Sequence, residues 1–187
     1  TVIAIFFSTM VGYAIAKFNS AGLRLLLGLV LTALMIPPFV IAIPLYIVGA
    51  RMGLVNNLLA VVIPFAVSNF GIFLMRQFCI TIPDELLDAG RIDGAGEFRI
   101  FIAVVFPVVV AGATAFGILK FLTTWNDFFW PLLMLFRDTR MTLQVVLATS
   151  IDFEMGVRYG YVMALTTLTV LPVLILYALF QKRIIEG

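Results

Sequence analysis

Long intervals without charged residues divide this sequence, and they limit its possible folds more than any other feature. An α-helix needs about 20 mostly apolar residues to cross the hydrocarbon core of a bilayer. Four intervals reach that length, and a slightly shorter one opens the chain without a start methionine, so we expect a further span upstream. Within the sequence we expect five membrane-spanning helices, over about 1–16, 25–48, 55–75, 100–120 and 159–181. The sequence therefore predicts an all-α fold, a polytopic transmembrane helical bundle that forms one domain over 1–187.

Composition excludes most other classes of protein. Hydrophobic residues make up 63% of the chain and charged residues 12%, whereas soluble proteins carry about 25% charged residues. The chain therefore lacks the polar residues that the surface of a soluble domain requires, and it is too apolar to be disordered. It has no His and one Cys, Cys79, which excludes His-ligated metals, His-dependent catalysis and an intrachain disulfide. A net charge of +2 does not favour a nucleic-acid partner.

The distribution of Lys and Arg predicts the orientation of the chain in the membrane. If five spans alternate, 17–24, 76–99 and 182–187 lie on one side, with seven Lys and Arg, against five on the other side. Loops rich in Lys and Arg remain in the cytoplasm. We therefore expect the first side to be cytoplasmic.

A cluster of charge interrupts the apolar pattern on that side. Residues 84–99 hold seven charged side chains, and at about 2.5–3.5 kcal/mol each they would cost roughly 17–25 kcal/mol at the centre of a bilayer. The segment must be solvated. We expect a short amphipathic helix that Thr81 caps, with Pro83 in its first turn and acidic residues at its N-terminus. A break follows at Asp93–Gly94, and the next helix begins near Glu97. Composition leaves two interpretations open, a solvated hairpin without a partner or a helix that docks on another protein.

Residues 88–107 resemble the cytoplasmic EAA loop of ABC importer permeases, which reads Glu-Ala-Ala, three residues, Gly, nine residues, Ile, one residue, Leu-Pro. Ala89, Gly94 and Pro107 match that pattern, while Asp88 replaces its Glu and Gly90 its second Ala. These departures imply a shorter acidic side chain and a more flexible helix. Further stretches extend the resemblance to nearly the whole chain and favour the sugar-transporting branch, in its G-type rather than its F-type subunit: 82–86, 125–132, 142–147 and 171–187.

The resemblance implies a type I ABC importer permease fold with a cytoplasmic coupling helix in a loop over 81–98. It also implies a multi-pass location in a bacterial inner membrane or its archaeal equivalent. The implied partners are the lipid bilayer, a cytoplasmic P-loop ATPase dimer, a second homologous permease subunit and an extracytoplasmic solute-binding protein. The residues implied in docking the ATPase are Glu85, Asp88, Ala89, Gly90, Asp93 and Gly94.

ATP hydrolysis is expected in the partner, together with ATP and Mg, and we expect no cofactor in this chain. A P-loop needs Gly-Lys followed by Ser or Thr. Lys17 and Lys120 each precede Phe, and Lys182 precedes Arg183. The chain is therefore not expected to be an enzyme.

Polar residues inside the expected spans are candidates for a solute path, because hydrocarbon disfavours them. Ser68, Asn69 and Thr114 are the candidates. The alternative is hydrogen bonding between helices, which such residues commonly provide. The expected spans contain no deeply placed charge, which favours a neutral solute such as a sugar.

The outer segment between the last two expected spans is too long for a simple turn. We expect a re-entrant or interfacial segment over 128–136 and a short amphipathic helix around 141–151. Asp127 before it could bind solute or a docking protein, or could be an interfacial charge.

Two other functions would leave different features in the sequence. A channel or secondary transporter should show intramembrane charges or inverted repeats, and an intramembrane hydrolase needs a nucleophile with a base or paired carboxylates. The sequence shows none of these features, and coupling to ATP separates the permease from both.

Overall fold

A computed structural model describes residues 1–150 and 159–185, and every regular element among them is helical. The chain forms two compact units. The first consists of 1–41 and 65–120, and the second of 42–64 and 121–187.

The helices are α1 (Val2–Lys17), α2 (Ala21–Leu34), α3 (Pro38–Arg51), α4 (Leu59–Val62), α5 (Asn69–Ile80), α6 (Asp84–Ile92), α7 (Glu97–Ile100), α8 (Phe106–Val108), α9 (Val110–Trp125), α10 (Phe129–Met134), α11 (Leu143–Thr149) and α12 (Tyr159–Ile185). Short 3₁₀ turns follow α4 and α10, and a π-helical turn, Phe101–Val105, joins α7 to α8.

The packing of α1 against α5 organises the first unit. At Gly12 the two backbones approach so closely that a Cβ atom would lie 2.9 Å from the Arg76 backbone nitrogen. Small residues allow membrane helices this close contact. The two helices and the Phe101–Val105 turn then enclose a core of large apolar side chains that continues beneath α6: Tyr13, Met75, Cys79, Ile82, Leu87, Ile100, Phe101, Val105, Val109, Ala113 and Phe116.

Two of the predicted spans are not single straight helices. The interval 25–48 is divided between α2 and α3, because consecutive prolines at Pro37 and Pro38 interrupt the backbone hydrogen bonds of a helix. In the interval 100–120 the chain bends by 80° between Glu97–Val108 and Val110–Trp125. Pro107 lies immediately before that bend, and the π-helical turn precedes it. Both features commonly kink helices.

Within the described residues, two helical stretches are long and apolar enough to cross a membrane, Leu59–Ile80 and Tyr159–Gln181, and up to four if each bent pair forms one span. The predicted span over 55–75 therefore begins and ends a few residues later. The helix α1 is apolar but shorter.

In the second unit, polar groups of a few side chains bond to distant backbone atoms. The indole Nε1 of Trp130 donates to the Ala60 carbonyl at 3.0 Å, and that of Trp125 donates to the Thr169 carbonyl at 2.9 Å. The predicted outer segment contains α10 and α11, and Thr142 caps the latter by accepting from the Val145 nitrogen. Arg158, counted above on the outer side, lies outside the described residues, as does the end of the predicted helix around 141–151.

Candidate functional site

The charged segment forms a short helix followed by a tight turn. Helix α6 begins at Asp84 after an N-cap at Pro83, with Asp84 and Glu85 in its first turn, where carboxylates interact favourably with the helix dipole. The predicted cap at Thr81 is wrong. Its hydroxyl instead donates to the Phe78 carbonyl at 2.8 Å, because Thr81 still belongs to the last turn of α5.

The turn lies at the residue that the sequence predicts. Gly94 has a φ of +78°, a conformation that glycine adopts without the penalty other residues carry. The Gly94 nitrogen donates to the Arg91 carbonyl and the Ala95 nitrogen to the Gly90 carbonyl, both at 3.0 Å. These bonds end α6 and direct the chain into α7, whose first residue is Glu97.

One face of α6 is anchored in the core of the first unit. Leu87 is 1% exposed and packs in the cluster that contains Ile82 and Ile100. A Cβ atom at Gly90 would lie 3.2 Å from Ile100 Cγ1, closer than an ordinary contact. The glycine that replaces the second Ala of the motif therefore stands where α6 packs tightly against Ile100 of α7.

Two side chains of α1 bond to the loop, and the sequence analysis missed both. Lys17 Nζ lies 2.7 Å from Asp84 Oδ1 and donates to the Ile82 carbonyl at 2.5 Å, which fixes the start of α6. The Tyr13 hydroxyl donates to Glu97 Oε2 at 3.0 Å, which fixes the start of α7. The residues lie 67 and 84 positions from their partners, so only the packed fold reveals the pairing.

Ion pairs of Arg91 join α6 to the start of α7 across the turn at Gly94. Arg91 pairs with Asp88 Oδ1 and with Glu97 Oε1, both at 2.7 Å. The hydrogen bond from Arg91 is the largest influence that lowers the pKa of Glu97, with a smaller contribution from Tyr13. The same pairs raise the pKa of Arg91. Asp88, the acid that the resemblance assigns to docking, is thus paired within its own helix.

The opposite face of α6 is exposed and partly apolar. Of the residues predicted for docking, Glu85, Asp88, Ala89, Asp93 and Gly94 are exposed and Gly90 is half-buried. Three apolar side chains of the same segment are also exposed, Leu86 at 47%, Ile92 at 86% and, in α7, Phe98 at 64%. Such a surface, with acidic and apolar groups side by side, can dock a protein groove lined with basic and apolar groups.

Two of the three candidates for a solute path, Ser68 and Thr114, have hydrogen-bond partners inside the first unit. Ser68 is the N-cap of α5: its hydroxyl accepts from the Gly71 nitrogen at 3.2 Å, and its nitrogen donates to the Ser8 hydroxyl at 3.0 Å. The Thr114 hydroxyl donates to the Val110 carbonyl of its own helix at 2.7 Å. Asn69 opens α5 and is exposed. These bonds explain Ser68 and Thr114 structurally, and a role in solute passage stays a prediction.

Comparison with known proteins identifies the family. A family model described as "binding-protein-dependent transport system inner membrane component" matches residues 4–186. The chain is 37% identical to an arabinooligosaccharides transport system permease protein, AraQ, of Halalkalibacterium halodurans, covering all of this chain and 66% of that protein. It is 31% identical to a lactose transport system permease protein, LacG, of Rhizobium radiobacter, over 100% of this chain and 68% of the relative. It is 33% identical to an sn-glycerol-3-phosphate transport system permease protein, UgpE, of Yersinia pestis, over 96% of this chain and 64% of that protein.

A solved structure shows a similar fold. It is the crystal structure of a bacterial ABC transporter involved in the import of the acidic polysaccharide alginate, with a TM-score of 0.86 and 25% identity over 97% of this chain and 69% of that one. The all-α fold class is thereby confirmed. Because the family model matches nearly the whole length of this chain, the chain belongs to the family of inner membrane components of binding-protein-dependent transport systems.

Proposed function

We propose that this chain is the transmembrane part of a permease subunit that moves a sugar by alternating access, driven by ATP that a separate subunit hydrolyses. One observation carries the proposal: α6 exposes a partly acidic, partly apolar face, while its other face is buried and α1 bonds both to the start of α6 and to the start of α7. A solvated hairpin without a partner would not need this face. Family membership and the permease relatives support the same conclusion.

In this proposal the exposed face docks in a groove of a cytoplasmic P-loop ATPase, which binds ATP and Mg. Leu86, Ala89 and Ile92 provide the apolar contact. Glu85 and Asp88 face basic groups of the partner, and a partner cation can compete with Arg91 for Asp88, since exposed ion pairs are weak.

Movement of the docked loop would reach the membrane helices through its anchors. Lys17 and Tyr13 bond to the loop from α1, and α1 packs closely on α5 at Gly12. Closure of the ATPase would therefore shift α1 and α5 together with the loop. Well-packed elements transmit such shifts because they do not deform continuously.

The proposed solute is a sugar. Two of the relatives are named for the transport of arabinooligosaccharides and lactose, and another for glycerol phosphate. The candidate path residues Ser68, Asn69 and Thr114 are uncharged, which favours a neutral solute over an anion. The proposal includes a second homologous permease subunit, an extracytoplasmic solute-binding protein and a multi-pass place in a bacterial inner membrane.

The test is recovery of the tagged full-length protein from its native membrane in mild detergent, followed by mass spectrometry of the proteins that accompany it. We expect a P-loop ATPase and a second permease. The double variant Asp88→Ala/Gly94→Val should lose the ATPase and keep the permease. The control Asp127→Ala removes an acid outside the loop and should keep both.

A cross-linking experiment tests the docking surface directly. The native Cys79 is buried and gives a low background, so Ala89→Cys introduces one reactive thiol on the exposed face. We expect cross-links from Ala89→Cys to the ATPase. An ATPase retained by the double variant, or no ATPase with any form of the protein, would contradict the proposal.

A further inference from the structure

A cavity of about 240 Å³ lies in the first unit among α1, the turn that follows it, α2 and α5. Its lining combines two kinds of side chain. One part is apolar, and the other carries three cationic groups and an amide. The lining residues are Ile15, Ala16, Lys17, Phe18, Asn19, Leu23, Arg24, Leu27 and Arg76. None of these nine residues is acidic.

The positive charge of the cavity is poorly compensated by the described residues. Lys17 pairs with Asp84, which lies outside the lining. Arg24 donates to the amide oxygen of Asn19 at 2.5 Å. Within the described ranges, neither Arg24 nor Arg76 has a carboxylate within ion-pair distance. Three cationic side chains thus line one cavity, and a single carboxylate, that of Asp84, pairs with one of them.

Arg76 is the most informative member of the group. Its Nε is inaccessible to solvent and has no hydrogen-bond acceptor among the described residues. A buried donor without an acceptor is unfavourable, the more so on a charged group. A guanidinium offers several donors in a plane, a geometry that suits the oxygens of a phosphate. Nε itself is closed to a ligand in the cavity, but Arg76 is part of the lining, and an anion there would balance the charges of Arg76 and Arg24.

The apolar part of the lining favours a lipid over a soluble anion. Ile15, Leu23 and Leu27 adjoin the cations, and the outer face of α2 exposes Leu25 and Leu29 at 66% and 59%. A free phosphate would gain nothing from these side chains, whereas a phospholipid places acyl chains beside them and its phosphate at the cations. Basic pockets at the cytoplasmic ends of membrane helices attract anionic lipid headgroups.

We propose that this cavity, the Arg76 pocket, binds the phosphate of an anionic phospholipid from the cytoplasmic leaflet. The proposal uses the membrane orientation included in the proposed function but neither ATP coupling nor the identity of the solute. Lys17, one of the residues that line the pocket, also holds the start of α6. A bound lipid would consequently lie next to the anchor of the coupling loop.

The experiment measures lipids retained by the full-length protein in its native complex. The complex is delipidated in detergent, exposed to equal amounts of phosphatidylglycerol and phosphatidylcholine, and analysed by native mass spectrometry. Wild type should retain phosphatidylglycerol preferentially. Arg76→Gln and Arg24→Gln should each reduce that retention about tenfold, the effect of losing one charge-assisted hydrogen bond. Arg99→Gln removes an exposed arginine from the same predicted side, outside the pocket, and should retain lipid as wild type does.

The outcomes distinguish a lipid phosphate from a free phosphate. They also distinguish failure of the lipid site from failure of the proposed function. Equal retention of both lipids by wild type, or unchanged retention in both pocket variants, would overturn the lipid site. Displacement of phosphatidylglycerol by millimolar inorganic phosphate would assign the pocket to a soluble anion and also overturn it. Arg24 lies at the exposed rim, so its variant serves if Arg76→Gln does not fold. Copurification of the ATPase is scored in the same samples, so failure of the proposed function shows separately.

Discussion

Two segments of this protein are held in place by side chains, but with different chemistry. The loop over 81–98 is fixed largely by charged groups: Lys17 to Asp84, and Arg91 to Asp88 and Glu97. In the other unit, residues 53–57 and 134–140 meet at what we call the Asn56 junction. There the Asn56 amide oxygen accepts from the backbone nitrogens of Phe136 and Arg137, at 2.5 and 3.2 Å.

The junction is fixed mainly through backbone groups. The Asn56 nitrogen donates to the Met134 carbonyl at 2.8 Å, and the Arg140 guanidinium donates to the Asn56 carbonyl. Asn56 also has a φ of +58°, which asparagine tolerates better than most residues. Hydrogen bonds to backbone groups cannot be exchanged for those of a partner without breaking the local fold. Exposed ion pairs contribute about 0–1 kcal/mol and can be exchanged. We therefore expect the loop to exchange its ion-pair partners and the junction to keep a fixed shape.

The largest effect should come from the apolar anchor beneath the loop. Leu87→Ala removes a buried side chain, and we expect a loss of about 2–5 kcal/mol in the free energy of unfolding. Leu86→Ala, one position away on the exposed face, should leave stability within about 0.5 kcal/mol but reduce recovery of the ATPase. Thermal unfolding of the solubilised protein measures the first effect and copurification the second. Equal destabilisation by both variants would contradict the assignment of the two faces of α6.

The next effect is expected at the junction. Asn56→Ala removes two hydrogen bonds and places a less tolerant residue at positive φ, and should lower the free energy of unfolding by about 2–3 kcal/mol. Asn56→Gly removes the same bonds but accepts the backbone conformation, so it should lose about 1 kcal/mol less. Asn57→Ala is the control, because the bond that the Asn57 amide oxygen makes among the described residues is local, to the Leu59 nitrogen. If Asn57→Ala proved the most harmful of the three, the junction would not depend on Asn56.

The sequence predicted the loop better than it predicted what holds the loop. Charge density required solvent around 84–99, and Gly94 indicated the turn, because both follow from local chemistry. Lys17 and Tyr13 could not be found this way, since neighbouring residues do not indicate which distant group a side chain will contact. Asn56 was missed for the same reason.

Which proline would interrupt a helix could not be predicted either. Charge-free intervals indicated where helices lie, yet proline can kink a helix, end it or be absorbed by its neighbours. The chain is interrupted at Pro37–Pro38 and sharply bent after Pro107, while Pro172 lies inside the continuous helix α12. Ser68 shows a related limit, because a polar residue in an apolar stretch can serve as a helix cap.

A smaller effect should follow from removing the uncharged link of the loop to α1. Tyr13→Phe deletes the hydrogen bond to Glu97 and keeps the aromatic packing against Phe101. We expect a loss of about 0.5–1.5 kcal/mol in stability and faster hydrogen exchange at the start of α7. Tyr46→Phe, in α3 of the other unit, is the matched control and should leave α7 unchanged. Identical exchange in wild type and Tyr13→Phe would remove Tyr13 from the anchor.

The smallest effect, and the one that separates the two segments most directly, is their response to acid and salt. The pKa of Glu97 is lowered below its ordinary value of 4.5, chiefly by Arg91. A lowered pKa in the folded protein means that the ionised carboxylate stabilises the loop above the ordinary value, and that this contribution disappears as the pH falls through the lowered pKa. Below pH 4.5, amides of 84–97 should lose protection from hydrogen exchange by about two- to fivefold, the range of exposed ion pairs.

At neutral pH, 1 M salt reduces the screening length to about 3 Å and should loosen the same amides, while those of Phe136 and Arg137 keep their protection under both conditions. Exchange is compared as protection factors, because intrinsic rates also change with pH. Glu85→Gln, an acid without an ion pair among the described residues, should behave as wild type, and Glu97→Gln should remove the acid response. If the junction loosened as much as the loop, the two segments would not differ in kind, and the exchange of partners proposed for the loop would lose its physical basis.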